Sequence, residues 1–228
     1  LALHPQVDLA TEPRWSRING GFGEDADLTS KLVQAYIRGF QGEQLGPESV
    51  STMTKHFPGG GPQLDGEDPH FAYGREQVYP GGNFDYHLKP FRAAIDAGGS
   101  QIMPYYGMPI GTQYEEVAFG FNQGIITDLL RGELGFDGIV CTDWGLIGDS
   151  VIMNQAMPAR AWGLEHLSEL DRVVKIIDAG CDQFGGESGP ELVVQAVTTG
   201  RISEARIDTS VRRLLREKFV LGLFDQPY

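Results

Sequence analysis

The sequence predicts an α/β protein built from parallel βα units. Short apolar segments alternate with amphipathic helical patterns along the chain, which is typical of a parallel sheet covered by helices. Most helical patterns end at a glycine, the residue that helix C-termini favour. With 228 residues, 41% of them hydrophobic, the chain is long enough to bury a substantial core. It contains no repeat, low-complexity tract or linker, so residues 1–228 are interpreted as one domain.

Five strands are predicted, because five short apolar runs are bounded by turn residues. In order they are LALHPQVDLA (1–10), VSTMTKHF (50–57), SQIMPYYG (100–107), GIVCTDWG (138–145) and CDQF (181–184). A helical pattern follows each strand, with apolar residues three and four positions apart. The first pattern is the stripe of Leu32, Val33, Tyr36, Ile37 and Phe40, and the others cover residues 87–98, 124–135, 162–180, 191–200 and 205–219.

Two folds contain such a series, the doubly wound open sheet and the eight-stranded βα barrel. The spacing of the elements does not separate them. No GxGxxG motif follows the first strand, as a dinucleotide-binding sheet would require. The sequence also begins inside a strand, so a barrel would need two or three further strands from residues before Leu1.

Polar or aromatic side chains lie at or just after the ends of the first four predicted strands. They are Arg14, Trp15, Arg17, Lys55, His56, Tyr105, Tyr106, Asp143 and Trp144. The strand interiors are apolar or small, so the functional groups collect at one end of the strands. In a βα barrel the carboxyl ends of the strands converge on one face, where active sites form.

A carboxylate among basic and aromatic side chains suits carbohydrate chemistry. Glycoside hydrolysis needs an ionised carboxylate near the anomeric carbon and a second carboxyl group that protonates the leaving oxygen. Asp143 fits the first role, since Arg14 and Lys55 would favour its charged form and Tyr106 would orient it with a hydrogen bond. Trp144 would form a wall of the sugar pocket.

Charge and cysteine content exclude several other classes. The formal charge of −13 opposes binding of nucleic acid or anionic membranes, and no apolar run approaches the roughly 20 residues of a membrane helix. We therefore expect neither nucleic acid nor a membrane as a partner. Cys141 and Cys181 form no metal-binding pattern and leave the cellular compartment open. We expect no metal site and no organic cofactor.

The motifs together resemble the N-terminal barrel domain of glycoside hydrolase family 3, the β-glucosidase and β-N-acetylglucosaminidase family. The similar segments are PRWSR, GFGEDADL, KHFPGGG, IMPYYG, GIVCTDW and LREKFVLGLFDQPY, in the family's order over nearly the whole chain. The resemblance implies an incomplete (β/α)8 TIM-type barrel, from about the third strand to the end of the barrel. It also implies a retaining, exo-acting β-glycosidase of the β-glucosidase type that acts on an oligosaccharide or β-glycoside.

The resemblance also implies roles for individual residues. Asp143 is the expected nucleophile, Arg14, Lys55 and His56 are expected to bind sugar hydroxyls, and Tyr106 is expected to contact the nucleophile. Gly145 departs from the family, because some members have an acidic residue there. This departure leaves the preferred sugar open.

Two parts of the family's site are expected outside this sequence. A sugar-binding aspartate would precede Leu1, and the acid/base glutamate would lie on a C-terminal α/β domain that follows Tyr228. The resemblance favours a periplasmic or secreted location over a cytoplasmic one.

Three alternatives stay open. Asp68-Pro69-His70 resembles the Asp-His acid/base pair of the family's single-domain N-acetylglucosaminidases, although the loop is about two residues longer than theirs and VYPGGNFDYHLKPF is more similar to the glucosidases. KHFPGGG would suit a phosphate, which would make the protein a phosphosugar-binding barrel enzyme. A non-catalytic barrel fragment that binds sugar or a partner is the third.

Overall fold

The structure, a computed structural model, describes residues 1–152 and 154–225. In the described part the strands are β1 (Met53–Phe57), β2 (Glu76–Gln77), β3 (Gln101–Pro104), β4 (Met108–Pro109), β5 (Ile139–Trp144), β6 (Ser150–Ile152), β7 (Gln155–Met157) and β8 (Gln183–Gly185). The helices are α1 (Ala26–Gln41), α2 (Phe84–Asp96), a π-helix (Gly124–Glu133), α3 (Glu169–Ala179), α4 (Pro190–Thr198) and α5 (Glu204–Val220).

The central sheet has four parallel strands in the order β1-β3-β5-β8. Its register pairs Met53 with Gln101, Gln101 with Ile139, and Cys141 with Gln183. Because the order follows the chain and all the strands are parallel, their carboxyl ends lie along one edge. The predicted α/β class with a parallel sheet is confirmed. Within residues 1–152 and 154–225, the four strands form an open sheet rather than a closed ring.

The first predicted strand, residues 1–10, is not a regular strand. Two isolated parallel bridges, Ala2 with Thr52 and Gln6 with Lys55, hold this segment beside β1. Proline lacks an amide N–H, so Pro5 cannot donate a bond to a continuous ladder. The segment still runs parallel to β1, and its end lies beside the end of that strand.

The helix predicted over 162–180 begins later, at Glu169. Ser168 caps it, accepting a hydrogen bond from the Asp171 amide at 3.2 Å, and the Asp171 carboxylate accepts one from the Ser168 amide at 3.3 Å. This reciprocal pair of hydrogen bonds fixes the start of the helix, because it satisfies backbone amides that a helix N-terminus leaves without partners. The segment predicted over 124–135 is helical but more loosely wound, since the Leu134 amide donates to the Leu129 carbonyl five residues back.

The core lies between the sheet and the helices. Trp15 and Trp162 are both buried in it, and Val33 and Ile37 face inward from α1. Leu32 and Phe40 belong to the same predicted stripe but are partly exposed. No helix in the described ranges is long and apolar enough to span a bilayer. The last three residues of the similar segment LREKFVLGLFDQPY, 226–228, lie outside the described residues.

Candidate active site

Asp143 lies at the carboxyl end of β5, and hydrogen bonds hold its carboxylate in a defined orientation. Its Oδ1 atom accepts hydrogen bonds from the Tyr106 hydroxyl and from the Trp144 amide, both at 2.8 Å. Its Oδ2 atom faces the His56 ring, with 3.8 Å between Oδ2 and Nε2. One oxygen is therefore held by two donors while the other faces the basic side chains.

His56 lies at the end of β1 and connects the site to a buried aspartate. Its Nδ1 atom lies 2.7 Å from Asp8 Oδ2, and its Nε2 atom lies 3.2 Å from Arg17 Nη2. Arg17 also donates to the Tyr105 hydroxyl at 3.2 Å. Both His56 and Asp8 are almost completely buried, so the ring is fixed from two sides.

Lys55 precedes His56 and belongs to the same cluster. Burial and repulsion from Arg17 lower the pKa of the Lys55 ammonium, whereas the charges of Asp143 and Asp8 act in the opposite direction. The cluster thus has two acidic and two basic side chains close enough to influence one another. Such mutual influence is common at functional sites.

Arg160 braces the site from the loop that follows β7. The side chain is buried, its guanidinium lies 5.3 Å from the centre of the Tyr106 ring, and it donates to the carbonyls of His70 at 3.3 Å and Trp144 at 3.4 Å. The structure places Arg160 where three chain segments meet.

Trp144 stands at the rim with 40% of its surface exposed. The indole packs over Gly185 and Gly186, and a Cβ atom added to Gly186 would overlap its ring. Gly186 also has a φ of 65°, which favours glycine for a second reason. Trp144 therefore offers an accessible aromatic face beside Asp143.

Arg14 does not lie in the cluster, although the sequence placed it among the sugar-binding residues. Its side chain is 61% exposed and pairs with Glu12 at 2.9 Å and Asp65 at 3.6 Å. The intervening Trp15 inserts into the core, and the loop turns Arg17 toward His56. The basic residue that this motif contributes to the cluster is thus Arg17, which the sequence had already noted at the same strand end.

Asp8 was not among the predicted site residues. It lies within the segment QVDLA (6–10), and its carboxylate is buried against His56 and the Gly60 amide. Burial by itself would raise the pKa of Asp8, but attraction to His56 and hydrogen bonds from His56 and Gly60 lower it below its ordinary value. The available signal was a charged residue in the otherwise apolar last part of a predicted strand.

The Asp68-His70 pair forms at the same rim. The His70 Nδ1 atom lies 2.6 Å from Asp68 Oδ1, and the His70 ring lies 4.6 Å from the Tyr106 ring. Burial opposes ionisation of Asp68, but hydrogen bonds from His70 lower its pKa to about 2. Tyr106 therefore lies between the Asp68-His70 pair and Asp143 and contacts both.

Glu187 braces the loop after β5 rather than entering the cluster. Its Oε1 atom accepts a hydrogen bond from the Ile147 amide at 2.7 Å. In the described ranges, no three His, Cys, Asp or Glu side chains are grouped to hold a metal ion.

Known proteins similar to this chain were found by sequence and by structure. β-Glucosidase C of Emericella nidulans is 68% identical over 228 residues, which are 100% of this chain and 37% of the relative. A β-glucosidase structure from Listeria innocua has a TM-score of 0.79 at 27% identity and covers 99% of this chain and 29% of its own. A family 3 β-N-acetylglucosaminidase structure from Paenibacillus sp. has a TM-score of 0.77 at 30% identity, covering 97% of this chain and 40% of its own.

The chain thus spans about a third of the length of the curated relatives it matches, 36–37% for those with 68% identity. Residues 1–217 match the model of the glycosyl hydrolase family 3 N-terminal domain. The family resemblance of the motifs is confirmed by this match and by the relatives. The chain belongs to glycosyl hydrolase family 3, and its cluster of acidic, basic and aromatic side chains lies in that family's N-terminal domain.

Proposed function

We propose that the full-length protein is a retaining, exo-acting β-glycosidase of the β-glucosidase type, with Asp143 as its nucleophile. One observation carries the proposal: Asp143 has one oxygen held by Tyr106 and the Trp144 amide, while its other oxygen faces a basic cluster. A carboxylate held in this way is oriented by two donors and keeps its second oxygen clear of them, as a nucleophile needs. The β-glucosidase names of the relatives support the same class.

The reaction proceeds in two displacements. Asp143 Oδ2 attacks the anomeric carbon, the bond from that carbon to the leaving oxygen breaks, and the leaving oxygen takes a proton from a general acid. Water then attacks the glycosyl ester, gives a proton to the same group acting as base, and releases Asp143. The sugar keeps its β configuration because each displacement inverts the anomeric carbon.

The surrounding side chains bind the sugar in this scheme. Lys55 and His56 contact its hydroxyls, and Arg17 takes the place that the sequence had assigned to Arg14. Trp144 stacks on the apolar face of the ring, an interaction in which an exposed indole is effective. Tyr106 keeps Asp143 in position while the charge on the carboxylate changes.

We place the acid/base group on a C-terminal α/β domain of the same protein. The chain covers only 36–37% of its 68%-identical relatives, so most of the length of such a protein lies outside it. Those relatives carry β-glucosidase names, which favours the two-domain branch of the family. Residues 1–228 then supply the nucleophile and most of the sugar contacts.

The Asp68-His70 pair is the second candidate for the acid/base group. The 2.6 Å contact between the two side chains and their position against Tyr106 favour it. In that case the protein would be a β-N-acetylglucosaminidase-type member.

The contacts of the KHFPGGG loop argue against the phosphosugar alternative, which was based on that loop. In KHFPGGG the Gly59 amide donates to the His56 carbonyl at 2.7 Å and the Gly60 amide to Asp8 at 2.5 Å. These two amides are already bonded, and the carboxylate of Asp8 beside them would repel a phosphate.

Covalent trapping tests the proposed function. The full-length protein is incubated with a 2-fluoro-β-glucoside bearing a good leaving group, and the labelled peptide is identified by mass spectrometry. We expect the label on Asp143, no label in Asp143→Asn, and normal labelling in Asp96→Asn, an exposed aspartate at the end of α2. A label on any other residue would refute the assignment of the nucleophile.

A further inference from the structure

We propose that Asp8 is a positioning residue that determines which nitrogen of His56 carries the proton. The proposal rests on the proposed function only for its kinetic consequence, because Asp143, which faces His56, is the nucleophile in that function. The tautomer itself follows from the contacts around the ring. Asp8 contacts neither Asp143 nor an open part of the site and acts through His56.

The contacts of Asp8 place a proton on His56 Nδ1. Oδ2 of Asp8 lies 2.7 Å from Nδ1, while Oδ1 accepts from the backbone amides of His56 at 3.2 Å and Gly60 at 2.5 Å. An ionised carboxylate can only accept hydrogen bonds, so Nδ1 must be the donor in this pair.

The contact with Arg17 leaves Nε2 without a proton. Arg17 Nη2 lies 3.2 Å from Nε2, and a guanidinium can only donate. Nε2 must therefore accept. With one proton on Nδ1 and none on Nε2, the ring is the neutral Nδ1–H tautomer.

This tautomer affects Asp143 directly. Asp143 Oδ2 lies 3.8 Å from Nε2, so a proton on Nε2 would point toward both Arg17 and the nucleophilic oxygen. It would oppose the Arg17 donor and draw Oδ2 into a hydrogen bond with His56. With Nε2 accepting from Arg17, His56 offers no donor to Oδ2, and that oxygen stays free of His56.

Packing holds the ring in this orientation. The His56 ring lies 4.5 Å from the Tyr105 ring, and its side chain is 1% exposed. A Cβ atom added to Gly60 would come within 2.8 Å of the Tyr105 ring and 3.1 Å of Asp8 Oδ1. Gly60 therefore lets the loop amide reach Asp8, and there is little room for the imidazole to turn over.

Asp8→Asn is the sharpest variant. The amide oxygen can accept from the two backbone amides as Oδ1 does now, which places the NH₂ group against Nδ1. That group donates, so Nδ1 becomes the acceptor and the proton moves to Nε2. The shape of the residue hardly changes while the tautomer reverses.

The tautomer is measured by ¹⁵N NMR of the full-length protein labelled at histidine. Protonated and unprotonated ring nitrogens have well-separated shifts, and His56→Gln assigns the His56 signals by removing them. We expect Nδ1–H in the wild-type protein and Nε2–H in Asp8→Asn. The Nε2–H form in the wild-type protein would overturn the proposal, even if the variant does not fold.

Kinetics provide the second measurement. We expect kcat/KM of Asp8→Asn to fall by about 10- to 100-fold, the loss of one hydrogen bond to a charged group, with Asp143 still the residue labelled by the 2-fluoro glycoside. Asp182→Asn, a buried aspartate at the opposite end of the strands, is the matched control and should keep the wild-type tautomer. A reversed tautomer with unchanged kinetics would overturn the positioning role, whereas failure of labelling at Asp143 would instead refute the proposed function.

Discussion

The hydroxyl of Tyr106 lies 2.8 Å from Oδ1 of Asp143 and accepts a hydrogen bond from the Trp144 amide at 3.0 Å. This relationship joins the segment after β3 to the end of β5. Burial, followed by the charge of Asp143, raises the pKa of Tyr106 well above its ordinary value. The phenol therefore stays protonated and remains a donor to the carboxylate throughout the range in which such an enzyme would work.

Removal of that hydroxyl should slow the chemical step. We expect Tyr106→Phe to lower kcat by about 10- to 100-fold, because Oδ1 loses one of two donors and a hydrogen bond to a charged group contributes about 1.5–3 kcal/mol. The measurement is the rate of covalent labelling by a 2-fluoro glycoside. Tyr73→Phe, at an exposed tyrosine, is the control, and equal labelling rates in the two variants would contradict the role of Tyr106.

Loss of the Arg160 guanidinium should loosen three segments together. Arg160→Met keeps much of the side-chain volume but removes the donors to the His70 and Trp144 carbonyls and the charge over Tyr106. We expect kcat to fall about tenfold, the effect of roughly 1.4 kcal/mol, and partial recovery in Arg160→Lys. Arg92→Met, on the exposed face of α2, should behave like the wild-type enzyme. Full activity of Arg160→Met would show that the contacts of Arg160 have no effect on the reaction.

A methyl group at Gly186 should displace Trp144. Gly186→Ala is expected to raise KM for aryl β-glucosides several-fold and to change the tryptophan fluorescence, since the added Cβ would overlap the indole. Gly111→Ala is a matched control, because Gly111 has the same φ of 65° and nothing near its Cβ position. Both variants should lose about 1 kcal/mol of stability from the backbone alone, so only the excess effect at Gly186 reports on Trp144.

His87 should make the stability of the fold dependent on pH. Burial lowers the pKa of His87 to about 4, from the ordinary value of 6.5. Between these values the unfolded chain binds the proton more readily than the folded one, so the free energy of unfolding should fall as pH drops from 6.5 toward 4, by at most about 1.4 kcal/mol per pH unit. Denaturant titrations at several pH values should show a smaller slope in His87→Gln, and the exposed His166→Gln should keep the wild-type slope.

The location of the general acid can be tested at His70. If the acid lies on a C-terminal domain, His70→Ala should leave the dependence of kcat/KM on leaving-group pKa unchanged, because proton donation is intact. Aryl β-glucosides with leaving groups of different pKa measure this dependence. A much steeper dependence in His70→Ala, with recovery only for the best leaving groups, would assign proton donation to the Asp68-His70 pair instead.

Much of the fold could be predicted from the sequence because hydrophobic periodicity is a local property. Alternating strand and helix patterns indicated a parallel sheet, and β1, β3, β5 and β8 lie within or next to the predicted segments. The predicted element boundaries were wrong where a single local feature, such as a proline or a helix cap, interrupts the hydrophobic pattern. Pro5 breaks the hydrogen-bond ladder of the first segment, and the cap at Ser168 delays α3 by seven residues from the predicted start at 162.

Local patterns of residues were enough to predict a class of chemistry and the residues at the strand ends. The end of a strand is visible in its pattern, and Asp143, His56 and Tyr106 each lie at one. Which of these side chains meet depends on tertiary packing. Whether Arg14 or Arg17 faces His56 depends on how Trp15 packs, and the pairing of Asp8 with His56 spans 48 positions of the chain. Such contacts come from the packing of distant segments, which no local pattern of residues contains.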